Sequence, residues 1–367
     1  MIREIIIFKM FIKSFQNLTK SDVAIAGGKG ASLGEMLTAG IPVPPGFVVL
    51  APAFDKFLDE TDLTQEVQAR LAAVNYADVN SVDNVARIIH GLIARADFPD
   101  DLAELIFAEY KRLKLGRVAV RSSATAEDSQ TASWAGELES YLNVEKESLL
   151  ESIKKCWASL FTPRAIVYRH EKGLLKTKVS VAVVVQKMVE AEVAGVSFTV
   201  HPVTKDKDQM IHEAVWGLGE ALVGGSVTPD AYVVRKGKGQ SAPNHALRLG
   251  SGQAKVVRDC FACARNDSSH RSQRGKLKNQ NPNDFEIVDI NVSEQDKMIV
   301  RGSKGGSSWK AVPKSLRTKQ KLTEKQIGEL SAICVAIEKH YKFPCDIEWA
   351  MEKGKFYIVQ ARPITTL

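Results

Sequence analysis

The chain has 367 residues, of which 44% are hydrophobic and 25% are charged, and its formal net charge is +7. This composition is typical of a soluble globular protein, and the length suffices for two or three domains. No run of about 18 apolar residues occurs, which argues against a membrane span. The five cysteines are scattered and odd in number, so a reducing, cytoplasmic setting is expected.

Residues 1–12 are expected to form an N-terminal extension. Lys9 interrupts their apolar patch and no small-residue cleavage pattern follows, so a secretory signal is not favoured. Met10 is an alternative start residue.

A glycine-rich segment, GGKGASLGEM at 27–36, comes before a proline-rich turn. Leu33, Met36 and Leu37 recur at helical spacing. Glycines let backbone N–H groups approach a phosphate, Lys29 supplies a positive charge, and a helix start adds its dipole. The Walker A spacing is absent. A phosphate contact by Lys29 and an ordinary glycine-rich turn with a solvated lysine therefore both remain open.

A second segment, VAVRSSATAEDSQTASWAGELESYLNV at 118–144, begins as a strand that carries Arg121. Small and hydroxyl residues follow, and such a chain can lie over a polyanion and donate hydrogen bonds to it. Arg121 can make a bidentate contact to phosphate. The alternative is a polar loop in which Ser122, Ser123 and Thr125 cap a helix. The strand–arginine–loop order favours phosphate.

The remaining pattern predicts a mixed α/β fold with more than one sheet, because helices and strands alternate without a strict βαβ rhythm. Periodicity predicts helices at 53–113, 145–170 and 322–341, and strands at 179–189, 193–200, 231–236 and 284–292. The strand at 179–189 ends in Gln186, Lys187, Met188 and Val189. Its end could meet an adenine edge, although the residues alone favour a core strand leaving the sheet.

The last stretch, DIEWAMEKGKFYIVQARPITTL, predicts a hairpin around a Lys-Gly-Lys turn. A three-residue loop puts Glu348 opposite Gln360 and Asp346 opposite Arg362, with Phe356 and the alternate residues after it on the same face as Gln360. Glu348 and Gln360 offer oxygens suited to Mg²⁺, and Arg362 beside them could hold a phosphoryl group. The alternative is a surface ion pair between Asp346 and Arg362.

The positive charge is concentrated in one tract. Residues 236–283 contain ten Lys or Arg and two Asp, and the rest of the chain is nearly neutral. A nucleic-acid partner is therefore not expected. Residues 237–283 show no periodicity, which predicts a disordered basic insertion between two strands that would otherwise join across a short turn. A functional basic arm for RNA or a partner is the alternative.

Seven motifs together resemble the nucleotide-binding domain of the phosphoenolpyruvate synthase and pyruvate phosphate dikinase family, which also occurs in rifampin phosphotransferase. The motifs lie in about 13–236 and 284–367 and follow the family's order. They read GGKGASLGEM with AGIPVPPGFVV, VAVRSSATAEDS with ASWAGELESYLNV, KCWASLFTPRAIVYR, VVVQKMV, FTVHPVT, EAVWGLGEALVGGSVTPDAYVV and PCDIEWAMEKGKFYIVQARPIT.

The resemblance implies an ATP-grasp-like fold in which two lobes, 13–200 and 201–367, clamp Mg–ATP. Carried over by motif, Lys29, Arg121 and Arg362 contact phosphates, and Glu348 and Gln360 hold Mg²⁺. The remaining implied contacts are the lid residues Gly136 and Ser140 and the adenine-binding residues Gln186, Met188 and Val189.

In the family, ATP's β-phosphoryl group passes to a histidine on a swivelling domain and then to the acceptor, which is pyruvate in the synthase. Neither that domain nor the pyruvate-binding barrel is found before Leu367. The resemblance therefore implies an ATP-activating part whose phosphohistidine domain is supplied in trans or on a missing segment. A stand-alone phosphotransferase for another acceptor and a non-catalytic ATP-binding module remain as alternatives.

Overall fold

The computed structural model describes residues 10–125, 139–174, 180–237, 285–303 and 305–364, and the backbone of 128–129 and 132–133. They divide into two compact units. Unit 1 comprises Met1–Glu35 and Pro45–Met188, and unit 2 comprises Met36–Pro44 and Val189–Leu367. The division falls at Val189, before the lobe boundary expected at 201, and residues 36–44 join the second unit.

Unit 1 contains a sheet and most of the helices. Its strands are β1 (Ile12–Ser14), β2 (Gly46–Val49), β3 (Val118–Ala124), β4 (Asp128–Ser129), β5 (Ala132–Ser133), β6 (Ser140–Val144) and β7 (Val181–Lys187). Five of them form an antiparallel sheet in the order β1-β2-β7-β3-β6, and β4 pairs with β5. The helices are α1 (Val23–Thr38, of which residues 36–38 fall in unit 2), α2 (Ala51–Glu60), α3 (Leu63–Ala72), α4 (Val79–Arg95), α5 (Asp100–Arg112), α6 (Leu149–Ala158) and α7 (Pro163–Glu171).

Local chemistry accounts for these helices. Helix α4 begins where the Asp78 carboxylate accepts a hydrogen bond from the Asn80 amide at 3.0 Å, which caps an otherwise unpaired N–H. Val82, Val85 and Ile89 recur along one face of α4 at helical spacing and are buried. The predicted run of amphipathic helices at 53–113 is confirmed.

The core of unit 1 is apolar. Trp157 lies at its centre, with ring centroids 5.5 Å from Phe54, 5.0 Å from Phe57 and 5.5 Å from Phe98. Alternate residues of the central strands, such as Val120, pack into this cluster. The helices that pack on this cluster therefore cover one face of the sheet, and the residues in between point to the other face, where α1 lies against Val48 and Ser123.

Unit 2 contains a six-stranded antiparallel sheet in the order β11-β10-β9-β8-β14-β15. Its strands are β8 (Val193–Phe198), β9 (Gln209–Trp216), β10 (Asp230–Arg235), β11 (Glu286–Asn291), β14 (Cys345–Glu352) and β15 (Lys355–Pro363). The helices are α8 (Glu220–Val223) and α9 (Glu324–Tyr341). A capping box of Thr323 and Gln326 starts α9, and Lys342 in the left-handed region ends it.

A separate two-stranded sheet of β12 (Lys297–Arg301) and β13 (Ser307–Ala311) completes unit 2. The sequence pattern did not predict it, because β13 is largely polar and exposed throughout and shows no clear apolar alternation. The rest of the predicted order is confirmed, including mixed α/β class. All sheet pairs named above are antiparallel, with helices segregated from strands. Within the described ranges, no helix combines the length and hydropathy needed to cross a membrane.

The polar interior of unit 2 changes the interpretation of the basic tract. Lys236, counted with that tract, donates to the Glu338 carboxylate at 2.7 Å, and both side chains are fully buried. Strands β10 and β11 pair, with Arg235 opposite Glu286, as predicted for strands that flank an insertion. The predicted insertion itself, from residue 238 onward, lies outside the described residues.

Candidate functional site

The glycine-rich segment lies where helix α1 is broken. Gly27 has non-helical angles, φ 68° and ψ 170°, so the longer helical part begins after it, at Gly28. Lys29 is therefore in the first turn of a helix, as the sequence predicted. A left-handed φ of this kind favours glycine, because a Cβ would crowd the adjacent carbonyl.

The glycines of this segment allow close packing. A Cβ on Gly27 would lie 2.2 Å from the Ser123 Oγ, one on Gly30 would lie 2.9 Å from Val48 Cγ2, and one on Gly34 would lie 2.5 Å from Leu18 Cβ. Gly27 and Gly30 thus let the helix approach strands β3 and β2, and Gly34 lets it approach Leu18. A phosphate-binding role of their amides stays a prediction.

Strand register places the other predicted residues of unit 1 on one sheet face. Arg121 of β3 is directly opposite Ser140 of β6 and Val184 of β7, and opposite residues of an antiparallel pair share a face. Gln186 lies two residues beyond Val184 on β7, so it lies on the same face. Ser123, two residues after Arg121, also belongs to this face.

Gln186 has an unusual environment. It is only 2% exposed, and its Nε2 atom has no hydrogen-bond partner among the described residues. An unsatisfied buried amide destabilises a fold by about 1–3 kcal/mol, and each such group calls for an explanation. Its strand neighbours are Gly46 and Ala119, so no side chain directly opposite it on the sheet supplies an acceptor.

Some backbone groups of the residues that follow Gln186 already have hydrogen-bond partners within the protein. The Lys187 amide donates to the Pro45 carbonyl at 2.8 Å, and the Met188 amide donates to the Arg117 carbonyl at 2.9 Å. In unit 2, Val189 is buried and its carbonyl accepts from the Ala191 amide at 2.9 Å. The predicted lid residue Gly136 lies outside the described residues.

The closing hairpin has the predicted pairing and a different turn. Glu348 is opposite Gln360 and Asp346 is opposite Arg362, as predicted. The loop is a two-residue turn of Lys353 (φ 51°) and Gly354 (φ 71°) and not the three residues expected. A bulge next to Glu348 inserts the extra residue in β15 and restores the predicted pairing beyond it.

The bulge also corrects the predicted faces. Phe356 and Ile358 pair with Met351 and Trp349 and are buried, so they lie on the face opposite to that of Gln360. The sequence had placed all of them together, because a strict alternation cannot account for an inserted residue.

The metal-site prediction stays a prediction, and the register shows only where its two residues lie. Glu348 and Gln360 are cross-strand neighbours and each is half-buried, so their oxygens share a side of the sheet. No cluster of three or more His, Cys, Asp or Glu side chains that could hold a metal occurs within the described part of the chain. A cation here would need additional oxygens from water or a phosphate.

Arg362 makes the ion pair that was the alternative interpretation. Its Nε and an Nη atom each lie 2.8 Å from the Asp346 Oδ2. The arginine side chain is 52% exposed, and the aspartate is largely covered. The guanidinium therefore sits at the rim of the face that carries Glu348.

The sequence did not single out Glu213, which lies on this same face. Glu213 is opposite Val196, and Val196 is opposite Glu348. The two carboxylates are thus two strands apart, about 10 Å. Burial, and then the Asp346 charge, raises the pKa of Glu213. This face carries three carboxylates, those of Glu213, Asp346 and Glu348, and one guanidinium, that of Arg362. The excess of negative charge attracts cations.

Ser123 was considered only as a helix cap within its own loop. Its hydroxyl does bond to the start of a helix, but that helix is α1, 93 residues earlier in the chain. No local signal in the sequence identifies such a partner.

Comparison with known proteins agrees with these features. The profile of the family described as pyruvate phosphate dikinase, AMP/ATP-binding domain, matches residues 23–281 and 271–367. A probable phosphoenolpyruvate synthase of Methanocaldococcus jannaschii is 42% identical over 97% of this chain and 27% of its own length. A probable phosphoenolpyruvate synthase of Methanothermobacter thermautotrophicus is 40% identical over 97% of this chain and 46% of its own length.

The phosphoenolpyruvate synthase of Pyrococcus furiosus is 36% identical over 97% of this chain and 44% of its own length. The chain thus spans between about a quarter and a half of the length of these curated relatives. Both the family profile and the relatives cover most of the chain's residues. The chain belongs to the pyruvate phosphate dikinase AMP/ATP-binding domain family.

Proposed function

We propose that this chain binds Mg–ATP through an ATP-grasp-like fold and is the ATP-activating part of a phosphoenolpyruvate synthase-like phosphotransferase. Lys29, Arg121 and Arg362 would hold phosphates, with Gly136 and Ser140 beside them. Gln186, Met188 and Val189 would meet the adenine. Glu348 and Gln360 would hold Mg²⁺.

The buried Gln186 amide is the observation that carries this proposal. Adenine presents ring nitrogens that accept hydrogen bonds, and Gln186 Nε2 is a buried donor with no partner among the described residues. Arg121 and Ser140 are cross-strand neighbours on the same face. A base donor and a phosphate-binding cation on a single face suit a nucleotide.

The residues of the closing hairpin fit a hard cation that also binds phosphate. Glu348 offers a carboxylate and Gln360 an amide oxygen from directly opposite positions. Bound Mg²⁺ would neutralise phosphate charge. Lys29 and the two arginines would add positive charge and orientation, and this chain would supply no nucleophile of its own.

We further propose that the phosphoryl group passes to a histidine on a swivelling domain, supplied in trans or by a longer form of the protein, toward phosphoenolpyruvate formation from pyruvate. The names and greater length of the relatives support this assignment. We place the activity in the cytoplasm, in keeping with the free thiols of Cys156, Cys334 and Cys345.

Gln186→Leu separates a binding role from a structural one. Calorimetric titration with Mg–ATP should show affinity lowered about tenfold, equal to roughly 1.4 kcal/mol, because the base loses its donor. The melting temperature should be unchanged or higher, since leucine removes an unsatisfied buried group.

Gln295→Leu is the matched control. Gln295 is equally buried, but its side chain bonds to Trp216 and to the Lys297 carbonyl. This control should lower the melting temperature and leave affinity intact. Wild-type affinity in Gln186→Leu would contradict the adenine assignment, and a wild-type chain without Mg–ATP binding would contradict the whole proposal.

An added phosphohistidine domain from a relative then tests the relay. ATP-dependent phosphorylation of that domain supports it. AMP formation by this chain alone with another acceptor would replace the relay with a stand-alone phosphotransferase. Binding without turnover in either assay would identify a non-catalytic ATP-binding module.

A further inference from the structure

The Ser123 hydroxyl joins two motifs that are far apart in sequence. Its Oγ donates to the Ala26 carbonyl at 2.9 Å and accepts from the Gly30 amide at 3.3 Å. Ser123 is fully buried, so both bonds are shielded from water. The two bonded residues bracket Gly27, Gly28 and Lys29, and one hydroxyl therefore fixes both ends of the turn that carries Lys29.

The turn cannot supply these bonds itself. The helical part that begins at Gly28 follows Gly27, which has no side chain to accept from the first free amides. Ser123 takes the place of that N-cap from a neighbouring strand. The close approach also requires glycine at 27, since a Cβ there would lie 2.4 Å from the Ser123 carbonyl oxygen.

The same strand carries Arg121. Arg121 and Ser123 are two residues apart on β3 and lie on one face of the sheet. Ser123 therefore ties the helix start that holds Lys29 to the strand that holds Arg121. Two cations that must contact one polyphosphate need a fixed separation, because a misplacement of about 1 Å can lower a rate about a hundredfold.

We propose that Ser123 is a positioning residue for nucleotide binding, acting through Lys29 and not by touching the nucleotide. This proposal rests on the proposed function for the role of Lys29, whereas the link between Ser123 and residues 26–30 is independent of it. Two measurements distinguish a failure of the positioning role of Ser123 from a failure of the proposed function.

The first measurement is hydrogen exchange of the nucleotide-free chain. Ser123→Ala should speed the exchange of amides in residues 26–30, since the Gly30 amide loses its acceptor and the Ala26 carbonyl its donor. Ser159→Ala is the matched control. Ser159 is also fully buried and donates to the Cys156 carbonyl at 2.7 Å, outside this turn. It should leave exchange in residues 26–30 at the wild-type rate.

The second measurement is a double-mutant cycle on the affinity for Mg–ATP. Ser123→Ala should weaken binding about tenfold, the size expected from losing a helix cap. In a Lys29→Met background the same change should add no more than about twofold, because its effect passes through Lys29. Ser159→Ala should bind as wild type does.

Each outcome has a distinct meaning. Unchanged exchange of residues 26–30 in Ser123→Ala, unchanged affinity, or fully additive effects of the two substitutions would overturn the positioning role. A wild-type chain that gives no binding would overturn the proposed function, while the exchange rates would still decide whether Ser123 holds the turn.

Discussion

The two units keep their polar groups in different places. The central cluster of unit 1 is hydrophobic around Trp157, and its polar residues Arg121, Ser123 and Gln186 lie on the opposite sheet face. Unit 1 also buries single charged side chains, Glu109 at 1% and Arg169 at 7% exposed, whereas unit 2 buries whole ion pairs in its interior. Its ion pair of Lys236 with Glu338 is fully buried, and so is a second pair between Lys321 and Asp230, at 2.6 Å.

Unit 2 also buries a histidine. His212 is fully buried between the Ser197 hydroxyl, 2.7 Å from Nδ1, and the Ser331 hydroxyl, 2.9 Å from Nε2. Most of the buried side-chain atoms without a hydrogen-bond partner among the described residues lie in unit 1, Gln186 Nε2 among them, whereas unit 2 uses paired ionisable groups as internal structure. The stability of unit 2 should therefore depend on pH and on intact partners, and that of unit 1 on packing.

The largest effect is expected from breaking a buried ion pair. Lys236→Met should lower the free energy of unfolding of unit 2 by about 3–5 kcal/mol, because it leaves the Glu338 carboxyl buried without its cation. Burial already raises the pKa of Glu338, an effect that Lys236 opposes. Hydrogen exchange in urea, followed in peptides of α9, measures the loss.

The neighbouring residue provides the control. Arg235 pairs with Glu286 at the surface, so Arg235→Met should lower the same free energy by less than about 1 kcal/mol. The double variant Lys236→Met with Glu338→Leu should recover most of the stability, since an apolar pair replaces the ionic one. If Lys236→Met and Arg235→Met lower the free energy of unfolding equally, the proposed contrast between the units is wrong.

A smaller effect is expected from pH. Burial lowers the pKa of His212 from its ordinary 6.5 to about 3. The unfolded chain therefore binds a proton below pH 6.5 that the folded chain does not bind until about pH 3. The stability supplied by neutral His212 is complete well above pH 6.5 and decreases as the pH falls, by about 2 kcal/mol between pH 7 and pH 5.

His212→Gln sharpens this prediction, because glutamine can bond to both serines without titrating. Unfolding free energies of the wild type and the variant, measured in urea at pH 7 and pH 5, should differ in their pH dependence by that amount. Parallel pH profiles for the two proteins would show that His212 does not couple folding to protonation.

The smallest effect on stability is expected at the closing hairpin. Arg362→Met should change the free energy of unfolding by less than about 1 kcal/mol, because its ion pair with Asp346 is largely exposed on the arginine side. Its effect on phosphorylation of an added histidine domain should be far larger, since phosphate contact is its proposed role. A stability loss as large as that of Lys236→Met, with normal phosphorylation, would make Arg362 a structural residue.

The closing hairpin also shows what strand alternation alone can predict. Asp346 and Glu348 were matched to their correct partners, although the turn was assigned one residue too many. The bulge added the missing residue, so the two errors cancelled beyond it. Nothing distinguishes Val359 from its β-prone neighbours as the inserted residue, because a bulge is decided by packing on the two faces of the sheet.

The charged interior was hidden for a related reason. Lys236 adjoins a basic tract, and a lysine in such a context is normally solvated. Its partner Glu338 lies 102 residues later in the chain, on the helix predicted at 322–341. Only the packing of α9 against the sheet brings the two together.

The sequence by itself determined most of the order of helices and strands, though not β12 and β13, together with the mixed α/β class and the motifs that identify the family. Periodicity, glycine placement and motif order are local properties of the chain. The tertiary structure decided what joins those motifs. Ser123 meets Gly30 across 93 residues, and Gln186 has a buried amide with no partner among the described residues. Hydrogen bonds depend on which groups the fold brings within about 3 Å of each other. When the partners are far apart in the chain, local sequence patterns do not identify them.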